Sequence, residues 1–210
     1  DADPAVIGIN YRTEAALVGD AKLALAALLD ELPSAPRKGW GAAAVAAAKA
    51  QKFARFERLA SDEVPIRPER LIAELQAALP GDAVIVADPG TPTPFLSAYY
   101  RLDRAGRHLV FNRAHGALGY ALPGVVGAYF ARPDKVCLGI MGDGGFGFAS
   151  GELETIARLA LPVVLVVVNN ATFGWIKAGQ HHGYEGRYQS VDFSPGDHAA
   201  VAAAYGFETW

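Results

Sequence analysis

KVCLGIMGDGGFGFASGELETIARLALPVVLVVVNNATFGW, residues 135–175, contains two apolar runs, 136–141 and 163–168. Both are uninterrupted and the second is almost entirely β-branched, the pattern of parallel strands covered on both faces. Residues 152–161 between them carry helical spacing at Leu153, Ile156, Ala157 and Ala160, with Ser150 or Gly151 as cap. The stretch therefore reads as strand, glycine loop, helix, strand: a right-handed βαβ crossover. Its first strand runs into Gly142-Asp143-Gly144-Gly145 and its second into Asn169-Asn170. Ligands of open parallel sheets bind beyond the carboxyl ends of the strands, so both polar clusters fall on the binding edge.

Two chemistries compete for the glycine loop. Gly142, Gly144 and Gly147 satisfy G-x-G-x-x-G between a strand and a helix, the context of a dinucleotide site. Asp143 argues against it, because a carboxylate in that turn repels a pyrophosphate unless a cation lies between them. The second strand also ends in two amides, where a ribose site needs an acid. A metal–diphosphate site uses the same residues without conflict. Asp143 offers an anionic oxygen and Asn170 an amide oxygen, hard donors that suit Mg²⁺, whose remaining positions go to phosphate oxygens and water. Gly144 and Gly145 can turn backbone N–H groups toward phosphates near a helix start.

GDG followed one βα unit later by NN resembles the thiamine-diphosphate motif. The surrounding residues resemble the acetolactate-synthase-like branch of the 2-oxo-acid decarboxylase and carboligase family. By that resemblance Asp143 and Asn170 ligate Mg²⁺ through their side chains and Thr172 through its backbone carbonyl.

The 210 residues, 51% of them hydrophobic, suit one or two globular domains. The net charge of −3 and the lack of a basic cluster speak against nucleic acid as a partner. The longest apolar run, 161–168, falls far short of the roughly 20 residues that cross a bilayer, so no membrane partner is expected. Cys137 is the only cysteine, which rules out a disulfide within the chain and points to a reducing, cytoplasmic setting. Asp1 opens without a methionine or a signal-like segment, and the chain is expected to begin and end inside something longer.

Residues 1–32 read as the C-terminal fragment of a second α/β domain. Asp1-Ala2-Asp3-Pro4 is a turn, 15–18 a short strand, and 22–32 a helix capped by Asp20 and stopped by Pro33. The piece resembles the end of the family's middle domain. A linker follows at 33–65, opening with Pro33, Pro36 and Gly39 and turning into an alanine-rich helix with Phe53, Phe56 and Leu59 along one stripe. The cofactor-binding domain is placed at 66–210. It begins with a helix from Pro68 through Leu71, Ile72, Leu75 and Leu79, then a buried strand at 83–87 that runs into Asp88-Pro89-Gly90-Thr91. The resemblance puts Gly90 and Thr91 against the diphosphate; Thr91 reads equally well as the N-cap of a helix at 92–100. The chain has Pro92, Thr93 and Pro94 where many relatives carry polar residues.

A third strand at 108–111 leads to Gly116-Ala117-Leu118-Gly119-Tyr120, where glycines let a helix begin close to a cofactor. By resemblance Leu118 supports the thiazolium and imposes a folded cofactor, so that the 4′-amino group meets C2 and a proton can leave C2; Gly116 offers its carbonyl to that amino group. His115 precedes this turn. Residues 173–188, with His181 and His182, read as a mobile flap of glycines and aromatics; 197–205 as a helix capped by Ser194 or Asp197; and 206–210 as the start of a further strand.

The fold expected is thus α/β, an open and mostly parallel sheet with helices on both faces, preceded by the fragment at 1–32. The function implied by the resemblance is the diphosphate-binding half of a thiamine-diphosphate- and Mg²⁺-dependent carboligase or lyase acting on 2-oxo acids. The glutamate that the family sets against the aminopyrimidine belongs to a pyrimidine-binding domain with no counterpart in these residues. The other half-site is then due from elsewhere on the polypeptide or from another chain, as a homodimer or homotetramer. The last helix of a middle domain carries no signal for or against FAD. Two alternatives stay open at this point: an NAD(P)- or FAD-binding Rossmann-type oxidoreductase domain, and a non-catalytic interaction domain that keeps the fold.

Overall fold

A computed structural model describes residues 1–33, 39 and 41–210. Contacts divide the chain into two compact units, 1–46 and 47–210. The first holds a single helical turn, Pro4–Val6, closed by the Asp3 carboxylate accepting from the Ala5 N–H, and helix α1, Ala21–Glu31. Asp20 caps α1 by accepting from the Leu23 N–H, as its spacing predicts. The strand expected at 15–18 does not form. Four small or apolar residues without a partner edge cannot close a ladder, and Leu17 and Val18 are exposed. No described residue of this unit is buried. Pro36, one of the signals for the linker, lies outside the described residues.

Helix α2, Ala42–Leu59, starts in the first unit and runs into the second, where α3, Pro68–Ala78, follows. The second unit is built on a four-stranded sheet, β1 Val84–Ala87, β2 Leu109–Phe111, β3 Cys137–Gly142 and β4 Val164–Val168, in the order β2-β1-β3-β4. Every pairing is parallel. Strand alternation divides the core in two. Ile85, Ala87, Leu138 and Ile140 face one way with Phe56, Ile72, Leu75 and Leu96, the last from α4, Pro92–Tyr99. Val84, Val86, Cys137 and Met141 face the other way. They pack on α5, Ala121–Ala131, α6, Asp143–Ala149, and α7, Glu152–Arg158. Buried side chains of this size each stabilise by roughly 1.5–3 kcal/mol, which makes the two faces the main source of cohesion.

Four expectations need correction here. The glycine loop is helical from Asp143 onward, so the crossover contains two short helices, α6 and α7, in place of a loop and one helix. β4 is an edge strand of the described sheet and only partly covered, with Val164 46% exposed. The flap expected at 173–188 contains a helix, α8, Gly174–Gly183. The Lys177–Asp192 ion pair and the Gln180–Gln189 hydrogen bonds tie it down. Residues 206–210 form no strand, whereas α9, His198–Ala204, is capped by Asp197 as expected.

The chain leaves β1 for β2 on one side and returns to β3 on the other, so the connections diverge between β1 and β3. That divergence opens a crevice at the carboxyl ends of these strands.

Candidate functional site

A cavity of about 400 Å³ occupies this crevice, within the range of small-molecule sites. It brings together all nine residues nominated from the sequence. Gly90 and Thr91 come from the end of β1, Gly116 and Leu118 from the turn after β2, Asp143, Gly144 and Gly145 from the end of β3, and Asn170 and Thr172 from the end of β4. His115, His181 and His182 are not among its lining residues. His181 instead bonds through Nδ1 to the Tyr188 hydroxyl at 2.9 Å.

Asp143 is 6% exposed and is held by backbone groups. Its Oδ1 accepts from the Gly144 N–H at 2.8 Å, and its Oδ2 from the N–H groups of Asn170 at 3.1 Å and Ala171 at 2.6 Å. The carboxylate at the tip of β3 thereby organises the loop after β4. In that loop Asn170 Oδ1 accepts from the Thr172 N–H at 3.3 Å. Thr172 pairs with Asp192 in an isolated antiparallel bridge, flanked by bonds from the Phe173 N–H to Val191 O and from the Phe193 N–H to Ala171 O, each 2.8 Å. In such a pair the central residue directs its own N–H and C=O away from its partner. The Thr172 hydroxyl donates to Val191 O at 2.7 Å, and the Thr172 carbonyl is turned away from that pairing.

A carboxylate, an amide oxygen and a peptide carbonyl are hard donors that suit Mg²⁺ when a ligand's phosphates complete the shell. Among the described residues no three His, Cys, Asp or Glu side chains gather for a metal. A cation here therefore depends on this mixed oxygen set.

The glycines answer first to the chain's own packing. A Cβ on Gly144 would stand 2.4 Å from Phe173 Cε1, and one on Gly145 2.2 Å from Asp88 Oδ2. Gly116 has φ +68° and open space around its Cβ position, so backbone conformation decides that residue. Thr91 does not cap α4: it is itself helical, at φ −55° and ψ −40°, and makes no side-chain cap bond.

Sequence reasoning passed over four lining residues with something to contribute. Trp175 and Ile176, on the first turn of α8, form part of the wall, and among the described residues Arg113 is the only basic side chain on it. Asp88, 1% exposed, accepts the N–H groups of Gly119 at 2.8 Å and Ala121 at 2.7 Å. Burial pushes its carboxyl above the usual carboxylate range, against the pull of these backbone bonds. A carboxylate just after an apolar strand was the one signal that could have singled it out.

The chain is similar to known proteins over most of its length. The chain is 29% identical, over 99% of its length, to the probable acetolactate synthase large subunit of Methanococcus aeolicus, covering 37% of that protein. It is 33% identical over 84% of its length to the probable 2-ketoarginine decarboxylase of Pseudomonas aeruginosa, covering 31% of that protein. The chain thus spans about a third of the length of the curated relatives it matches. Among solved structures, the thiamine diphosphate-dependent 4-hydroxybenzoylformate decarboxylase of Rhodococcus jostii RHA1 superposes with a TM-score of 0.62 at 27% identity, over 70% of this chain and 30% of that one. Residues 88–210 match the family described as thiamine pyrophosphate enzyme, C-terminal TPP binding domain. The chain belongs to that family, and every strand-end loop described above falls within the matched residues.

Proposed function

We propose that the cavity holds the diphosphate of thiamine diphosphate through Mg²⁺, as one half of an active site that decarboxylates or joins 2-oxo acids. The observation that carries this reading is the carboxylate of Asp143, bonded to the backbone of Asn170 and Ala171 at the cavity wall. In this reading Asp143, Asn170 and the Thr172 carbonyl hold the cation. Gly90, Thr91, Gly144 and Gly145 border the phosphates, and Gly116 and Leu118 border the rings. When bound, the cofactor supplies a nucleophilic carbon and an electron sink. The chain's own residues bind and orient it and, through Leu118, Trp175 and Ile176, restrict water.

The family's acid–base partner of the aminopyrimidine is a glutamate, and among the described residues no glutamate lines the cavity. We infer that a pyrimidine-binding region supplies it, from another part of the polypeptide or from another chain in a homodimer or homotetramer. Residues 1–32 are then the tail of a middle domain, 33–65 the linker and 66–210 the cofactor-binding domain, in a cytoplasmic enzyme. No helix among the described residues is long and apolar enough to cross a membrane.

The test is calorimetric titration of the chain with thiamine diphosphate, with and without Mg²⁺, beside an assay of pyruvate turnover. Mg²⁺-dependent binding without sustained turnover is expected. Binding of NAD(P) in preference to thiamine diphosphate, or steady turnover by this chain alone, overturns the half-site.

A further inference from the structure

Helix α5 begins without a local cap: Tyr120, at its N-terminal boundary, makes no side-chain cap bond. Its first N–H group, that of Ala121, and the N–H of Gly119 just before the helix nevertheless have an acceptor. Asp88, at the end of β1, reaches across 31 and 33 residues of sequence to accept the Gly119 and Ala121 N–H groups with separate oxygens. Those bonds straddle the end of the turn that carries Leu118 into the cavity. Gly119 sits at φ +87°, where a Cβ would lie 3.0 Å from the Ala149 Cβ, so the turn also seats directly on α6. On the other side, Asp88 Oδ2 abuts Gly145 so closely that no side chain fits there.

One buried carboxylate thus sets the height of the Leu118 turn relative to the loop at Asp143. We propose that Asp88 is a positioning residue: it fixes Leu118 as the platform for the ring portion of the cofactor and leaves the hold on the diphosphate to other residues. The proposal rests on the thiamine diphosphate reading above. Asparagine at position 88 keeps the shape that Gly145 requires, but its NH₂ group would face one of the two backbone donors, so the turn loses a clamp while the diphosphate end is untouched.

The experiment measures binding of two probes in the presence of Mg²⁺, thiamine diphosphate and inorganic pyrophosphate, to the whole chain. Asp88→Asn is expected to weaken thiamine diphosphate about tenfold and pyrophosphate less than about twofold, from the loss of one charge-assisted bond. Leu118→Ala should give the same split, and the double variant about the same loss as either single one, because the two act as a unit. Should Asp88→Asn fail to fold, amide exchange of the unaltered chain reads the same coupling. Protection of the Gly119 and Ala121 N–H groups should then rise with thiamine diphosphate and not with pyrophosphate. Equal weakening of both probes, additive losses, or equal protection by both probes overturns the positioning role. An unaltered chain that binds neither probe overturns the thiamine diphosphate reading, and the role of Asp88 with it.

Discussion

Asp143 Oδ2 accepts the Ala171 N–H at 2.6 Å, and this bond laces the tip of β3 to the loop after β4. The same oxygen takes the Asn170 N–H and Oδ1 takes the Gly144 N–H, so removing the carboxylate takes an acceptor from three part-buried donors, of which only Ala171 keeps another, Asn169 Oδ1. Asp143→Ala should therefore lower stability by about 1–3 kcal/mol even without ligand. Asp143→Asn, which keeps one acceptor oxygen, should lose less. Urea denaturation measures both, and equal stability of all three proteins would contradict the bracing role.

Ala171 holds φ 53°, a left-handed conformation that costs an L-residue about 1–2 kcal/mol. Glycine removes that cost but gains freedom in the unfolded chain, worth about 0.5–1 kcal/mol. Ala171→Gly should consequently stabilise by about 0.5 kcal/mol. Ala171→Val should destabilise by about 1 kcal/mol or more, since branching at Cβ crowds this region further. Denaturation midpoints should rank glycine above alanine above valine.

Thr91 lies just before α4 yet makes no cap bond. Its replacement by alanine should cost less than about 0.5 kcal/mol, where a true cap would cost about 1 kcal/mol. Its place on the cavity wall predicts instead a loss of thiamine diphosphate affinity. A large drop in melting temperature with unchanged binding would reverse this assignment.

Two glycines of α6 should respond oppositely to the same substitution. Gly145→Ala drives a methyl into Asp88 Oδ2, which two backbone bonds hold in place, and should destabilise by about 2 kcal/mol or more. Gly147→Ala meets nothing within 4 Å and should stabilise by up to about 1 kcal/mol through helix propensity alone. Thermal melts of the pair separate steric demand from a general preference for glycine.

The parallel sheet was legible because uninterrupted runs such as VLVVV have few other ways to be buried. The site segments were legible because polar residues ending such runs collect on one edge. What escaped depends on partners far along the chain. The link from Asp88 to Ala121 spans 33 residues and has no periodicity to betray it. Helix α8 was read as a flap because Gly174, Gly179 and Gly183 are poor helix formers; its bonds to Gln189 and Asp192 tie it down. Residues 15–18 and 206–210 have strand-like composition, and neither finds a neighbouring edge to pair with. Arg113, Trp175 and Ile176 carry no motif, and only the fold reveals which way they face.

The pairing of Thr172 with Asp192, together with the grip of Asp143 on residues 170 and 171, means that this rim surrenders its conformational entropy when the sheet forms. A molecule that settles against it meets a surface already frozen into shape. Its affinity is therefore not eroded by having to immobilise the loop.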